Sequence, residues 1–421
     1  YFFRKAKADN SIKAFTMDEG TLSWFTIAAG LSMTLAGGAS TLNMASLAYT
    51  YQWAPLLDPV SVVLGLGLVF LFFKNYRENK GLTVSELLAG RDKKLGILIG
   101  VITATVFILI LAAQFVALSK LVSPYFPSVN PLIITFILAS SVFSYVCLGG
   151  FSSVTKTDVL QFIFISFCLV LPLLYFLISR PAIPIEGAGH VFQPMSINYM
   201  LLLFTPFVYL PLSQDINIRL KSEINDTQAK LGIIAGMTMY CIVVVSAIGI
   251  GVILGGTGVQ LSEPELAYTT FFRTAFPSIS LLGVLAALAA IVSTLDSYSL
   301  NSITAVSNDI LSPLLKKSSD RSLLRFSGAI VYVLAMSIAL FFNQILALVL
   351  FSFLLYLAVL LPIVLGRYLQ LSDTKIFWTS FVNILLIAGF EFSGLSIGPT
   401  VLVYPGIGVL LVLVARYLPI K

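Results

Sequence analysis

The chain has 421 residues, 58% of them hydrophobic and only 10% charged, and its mean hydropathy is +0.98. This excludes a water-soluble globular domain, in which about 25% of residues are charged. The net charge of +6 does not signal a nucleic-acid surface, because the basic residues fall almost wholly in alternate segments between apolar runs.

Those runs, each around 20 residues, predict membrane-spanning helices. Short alternating segments of the kind a β-barrel needs are not visible. We read an all-α membrane protein with twelve spans, near 22–48, 54–73, 95–119, 131–149, 158–179, 197–218, 231–255, 281–311, 322–341, 344–366, 376–393 and 397–417. With the N-terminal segment in the cytoplasm, 22 of the 25 Lys and Arg residues lie on the inner side. Only Lys120, Arg180 and Arg273 lie outside. The positive-inside rule therefore favours this orientation and an even span count. The chain opens on Tyr1, so its N-terminus is expected to be missing or processed, and no signal peptide is visible.

In chain order, the first span carries Ala36-Gly37-Gly38-Ala39-Ser40-Thr41 near its middle. Paired glycines permit unwinding and free backbone carbonyls; the plainer reading is close packing of two helices. Asp58, at the outer start of the second span, reads as a solvated mouth residue rather than a partner for a solute amine. Asp158 begins the fifth, where Thr157-Asp158 is either a helix cap or part of a site. Cys147, Cys168 and Cys241 all lie in apolar segments and read as buried small hydrophobes. His190 sits in a polar loop and is given no role. The sixth span holds Thr205-Pro206-Phe207-Val208-Tyr209-Leu210-Pro211, whose two prolines disrupt the helical ladder. Breaks in the first and sixth spans occupy corresponding places in two sets of five, 15–180 and 197–367. Five is odd, so the sets enter from opposite sides, as an inverted repeat requires. Two peripheral helices, 376–418, complete a single domain.

The eighth span is the most informative. Ala290, Ser293, Ser297, Asn301, Thr304 and Asn308 form one small, polar stripe at helical spacing. Asp296 stands among them, and an ionisable group in a span costs roughly 2.5–3.5 kcal/mol on insertion scales. Its residence there marks a functional site. Hydroxyls and backbone carbonyls suit a hard cation.

The ordered motifs resemble the sodium/solute symporter family, with the leucine-transporter-like inverted-repeat fold. They are Thr83, Glu86 and Arg91; Ala112-Ala113-Gln114; Gly149-Gly150, Thr157-Asp158 and Gln161; Ile218-Arg219; and Ala290 through Ser297, continuing to Asn308-Asp309. The family usually has one further span before the first core helix. The resemblance implies sodium-coupled symport of a small organic solute by alternating access in the inner membrane, and no enzymatic activity. It implies a sodium ion held by the Ser293 and Thr294 hydroxyls and the carbonyls of Ala290, Met33 and Ala36. A second sodium or proton site would use Asp158, Ser297 and Asp296. Solute would meet Gly38, Ser40, Gln114 and Tyr209, the last aligned with a tyrosine that stacks on sugar in one member. Pro206 and Ser40 replace polar residues of the sugar carriers, and Leu35 replaces an aspartate of the proline carriers, so neither solute is supported. Two alternatives remain open: a transporter-like sensor domain of a signalling protein, and a proton-coupled symporter on the same scaffold.

Overall fold

The computed structural model describes residues 15–17, 22–78, 81–90, 92–123, 125–179, 192–222, 225–342, 344–393 and 400–417. Arg91 of the family motif, His190, and the N-terminal segment from which the orientation is read lie outside them. Every regular element among the described residues is a helix. Their main elements are α1 (Trp24–Leu35), α2 (Gly38–Tyr51), α3 (Leu57–Leu71), α4 (Val84–Leu88), α5 (Lys93–Val122), α6 (Pro131–Ile165) and α7 (Leu171–Ser179). Then come α8 (Ile197–Leu203), α9 (Pro206–Tyr209), α10 (Gln214–Lys221), α11 (Asp226–Gly256), α12 (Ala267–Ala275) and α13 (Ser280–Thr304). The chain ends in α14 (Arg321–Phe341), α15 (Ile345–Tyr368), α16 (Asp373–Ser393) and α17 (Thr400–Tyr417).

Among the described residues, seven helices are long and apolar enough to cross a membrane, or eight if α1 and α2 count as one bent span. Their outer faces carry large apolar side chains. Leu71, Ile178 and Phe341 are each at least 75% exposed, a surface that suits lipid and not water.

Local chemistry sets the helix ends. Ser23, Asp92, Asn130, Asn225 and Asp320 each accept a backbone N–H in the first turn of the helix that follows. Such caps stabilise by about 1 kcal/mol each. The first span breaks where the sequence predicts. Its halves meet at 52°, with Gly37 in extended backbone as the cap of α2. The sixth is divided into α8, α9 and a short 3-10 turn by Pro206 and Pro211.

The structure revises one boundary. The fifth span does not start at 158 after a loop. α6 runs on from Pro131 to Ile165 with a single non-helical residue, Gly150, at φ 58 and ψ −151. Only glycine adopts that backbone readily, and a Cβ there would lie 2.5 Å from the Phe15 carbonyl. One residue thus replaces the expected loop, and Asp158 lies two turns inside a helix rather than at its cap.

The core packs around the broken first span. α11 runs along both α1 and α2, while α13 crosses α5, α6 and both halves of the break. The motif around Thr83 and Glu86 joins the one at Asn308 and Asp309. Thr83 donates to Asp309 at 2.9 Å, and the Asn308 amide donates to Glu86 at 2.9 Å.

Candidate ion and solute site

α1 stops at Leu35, so its last-turn carbonyls lose their helical partners. Ala36 N–H returns to the Ser32 carbonyl, and the Ser40 hydroxyl donates to Leu35 at 2.9 Å. The stretch faces α13 at very short range. A Cβ on Gly37 would lie 1.7 Å from Thr294 Oγ1, and one on Gly38 would lie 1.8 Å from Ile291 Cγ1. The two glycines therefore serve both readings at once: they mark the break and admit the neighbouring helix.

Of the five residues expected at the sodium ion, all are buried. Met33 lies in the last turn of α1 and Ala36 caps it, while Ala290, Ser293 and Thr294 share one face of α13. Thr294 donates to the Ala290 carbonyl at 3.2 Å, and Ser293 donates to Asp158 Oδ1 at 2.6 Å. Each hydroxyl spends its proton in this way and keeps oxygen lone pairs for a cation. The donor set, uncharged oxygens beside an interrupted helix, fits sodium.

The expected second site divides in two. Asp158 is fully buried and forms an ion pair, at 3.0 Å, with Arg219. The same guanidinium donates to Thr34 at 3.0 Å and Ser297 at 3.1 Å, and these two hydroxyls lie 2.8 Å apart. Its Nε donates to Asp215 at 2.7 Å. Phe151 stacks beneath it, 5.7 Å from the ring centre. A Cβ on Gly30 would stand 1.7 Å from Arg219 Nη1. Asp296 belongs to a separate cage, where Tyr145 donates to Oδ1 and Thr157 lies 2.9 Å from Oδ2.

Sequence reasoning placed Arg219 among the cytoplasmic basic residues. It is instead 0% exposed and is the central cation of this cluster. The signal was Asp215, four residues earlier on the same helix. A buried ion pair needs further hydrogen bonds to offset desolvation, and Thr34 and Ser297 supply them.

Next to these residues lies a cavity of about 70 Å³. Ser40, Gln114 and Tyr209 line it, together with Thr294. Gly38 is not on its wall but under Ile291. Tyr209 is held by Tyr298, hydroxyl to hydroxyl at 3.2 Å, and packs edge-on against Tyr356. Asp58 also lines the cavity. At 8% exposure and bonded by the Tyr240 hydroxyl, it is not a solvated mouth residue. The helix turn at Leu57 rotates it inward, a direction that span counting does not give.

Comparison with known proteins agrees with this architecture. The model of the sodium:solute symporter family matches residues 15–181 and 186–375, and the chain belongs to that family. The sodium/sialic acid symporter NanT of Aliivibrio fischeri is 24% identical over 94% of this chain and 78% of its own length. Among solved structures, a Na+-coupled sialic acid symporter in a substrate-bound outward-open state superposes with TM-score 0.73, at 16% identity, over 98% of this chain and 92% of that one. The inward-facing conformation of Mhp1 gives 0.58, at 13% identity, over 97% and 92%. The protein is a multi-pass membrane transporter, not an enzyme. It carries out sodium-coupled symport of a small organic solute by alternating access.

Proposed function

We propose that one sodium ion binds between Met33, Ala36, Ala290, Ser293 and Thr294, and that solute binds beside it in the cavity lined by Ser40, Gln114 and Tyr209. The observation that carries this reading is the apposition of Thr294 to Gly37 at the break in the first span. An ion there bridges two helices, so it favours the conformation in which they stand together. Sodium from outside would thereby stabilise the outward-open state, and its loss inside would release solute. The membrane potential adds about 2.3 kcal/mol per charge per 100 mV.

In this reading the chain has twelve spans in the inner membrane, with the N-terminal segment cytoplasmic. The two sets of five, 15–180 and 197–367, form an inverted repeat followed by two peripheral helices. The kink at Gly150 supports dividing Pro131–Ser179 in two, since a 49-residue helix at 1.5 Å per residue is more than double the hydrocarbon thickness of about 30 Å. Asp158 and Ser297 hold the Arg219 guanidinium, so a second sodium ion at those residues would have to displace it. Asp296, apart from both, would carry a proton rather than share an ion with them.

Proteoliposomes test the proposal. Solute accumulation should follow an inward sodium gradient. Thr294→Ala should lose uptake at low sodium and recover it at high sodium. Unchanged sodium dependence in that variant would sink the assignment.

A further inference from the structure

Among the described residues, the central cavity is lined by one ionisable acid or base of the Asp, Glu, Lys, Arg and His kinds. Asp58 lines it, and no Lys, Arg or His does. Among the described residues, no cation lies within ion-pair distance of Asp58. Its one side-chain partner given by the geometry is the Tyr240 hydroxyl, which donates to Oδ2. The other polar groups on the wall are hydroxyls and amides, such as Ser40, Asn43 and Gln114. The remainder is apolar or aromatic, with Met44, Val62 and Leu203 beside Tyr209 and Tyr298.

A buried carboxylate without a cation is an unusual thing to keep in an apolar wall, because its desolvation goes uncompensated. A guest that supplies the missing positive charge resolves this. Opposite charges in contact attract strongly where water is excluded. That attraction becomes repulsion of the same size for an anionic guest. Tyr209 and Tyr298 line the same wall, and aromatic rings attract ammonium groups. The Tyr240 hydroxyl fixes the carboxylate, so little reorganisation is needed on binding.

We infer that the transported solute carries a protonated amine or quaternary ammonium group, received by Asp58. This rests on the reading that solute occupies this cavity. It also sets the chain apart from its sialic acid relatives, since an acid without an ammonium group would bring an uncompensated negative charge against Asp58.

The test uses detergent-purified full chain in sodium chloride, with thermal unfolding and equilibrium binding as readouts. The probes are choline, glycine betaine, proline, lysine and putrescine, against glucose as a neutral solute and sialic acid as an anion. At least one nitrogen cation should bind and raise the unfolding temperature. Asp58→Asn should weaken that binding by about tenfold or more, as loss of a hydrogen bond to a charged group does. Tyr240→Phe should weaken it less, and it serves as the second variant if Asp58→Asn does not fold. Binding of glucose or sialic acid that Asp58→Asn leaves unchanged would overturn the inference and leave symport standing. So would a protein that responds to sodium but to none of the nitrogen cations. Loss of the sodium response itself in Asp58→Asn would recast Asp58 as an ion ligand and overturn it as well. A wild-type protein indifferent to sodium would bring down the symport site instead.

Discussion

The Arg219 guanidinium stands 3.0 Å from the Asp158 carboxylate, and neither side chain reaches the surface. Asp215 holds the same guanidinium from the other side at 2.7 Å. The two carboxylates are therefore not equivalent in loss. Arg219→Gln strands both of them and should destabilise by about 3–5 kcal/mol, the usual cost of breaking a buried pair. Asp158→Asn leaves Arg219 its Asp215 partner and should cost less. The double variant should be milder than Arg219→Gln alone. Unfolding of the purified variants in detergent checks the order; equal losses for the two single changes would contradict it.

The contact between Gly37 and Thr294 predicts a steric phenotype. Gly37→Ala and Gly38→Ala each place a methyl group less than 2 Å from an atom of α13. Overpacking of this kind costs about 1–3 kcal/mol, and it separates the helices that the ion is proposed to bridge. Both variants should lose apparent sodium affinity more than stability. Retention of wild-type sodium affinity would show that the approach of α13 to the break is not needed.

Asp296 has its own donors. Tyr145→Phe removes one hydrogen bond to a buried carboxylate, a loss of about 1.5–3 kcal/mol, while the Arg219 cluster is left intact. The unfolding temperature should fall without a change in the sodium response. A loss of sodium response in Tyr145→Phe would join the two cages into one functional unit.

Lys221 lies beyond the sixth span and donates to the Gly81 carbonyl. Burial lowers its pKa to about 8. The unfolded chain holds this proton up to about 10.4, so between pH 8 and that value the unfolded state binds more protons. Stability then rises with pH across this window; below pH 8 the penalty for the buried charge is fully present. Lys221→Gln should flatten the rise. Unfolding temperatures measured from pH 7 to 10 decide it, and an unchanged slope in the variant would be the contrary result.

The fold was legible where hydropathy and charge speak. Apolar runs located the helices, and glycine and proline pairs located both breaks. The polar stripe on α13 named Ser293, and the family resemblance added Thr294, which lies against Gly37 at the break. What stayed hidden is direction and pairing. Arg219 counts as cytoplasmic by sequence position, yet α10 turns it inward to Asp158. Asp58 sits at a helix start, where rotation decides between mouth and cavity. Asp158 and Asp296 are grouped in one expected site by the family resemblance, not by nearness in the chain. Facing helices give them different partners, and side-chain pairs more than a hundred residues apart leave no local trace.

The most direct test of a sodium ion bridging the first-span break and α13 is the unfolding temperature of the purified protein in sodium chloride against potassium chloride at equal ionic strength, with Thr294→Ala alongside. A ligand stabilises the state it binds. The account predicts a sodium-specific rise in the wild type that Thr294→Ala loses. A rise of equal size in both proteins, or none in a well-folded wild type, would contradict it.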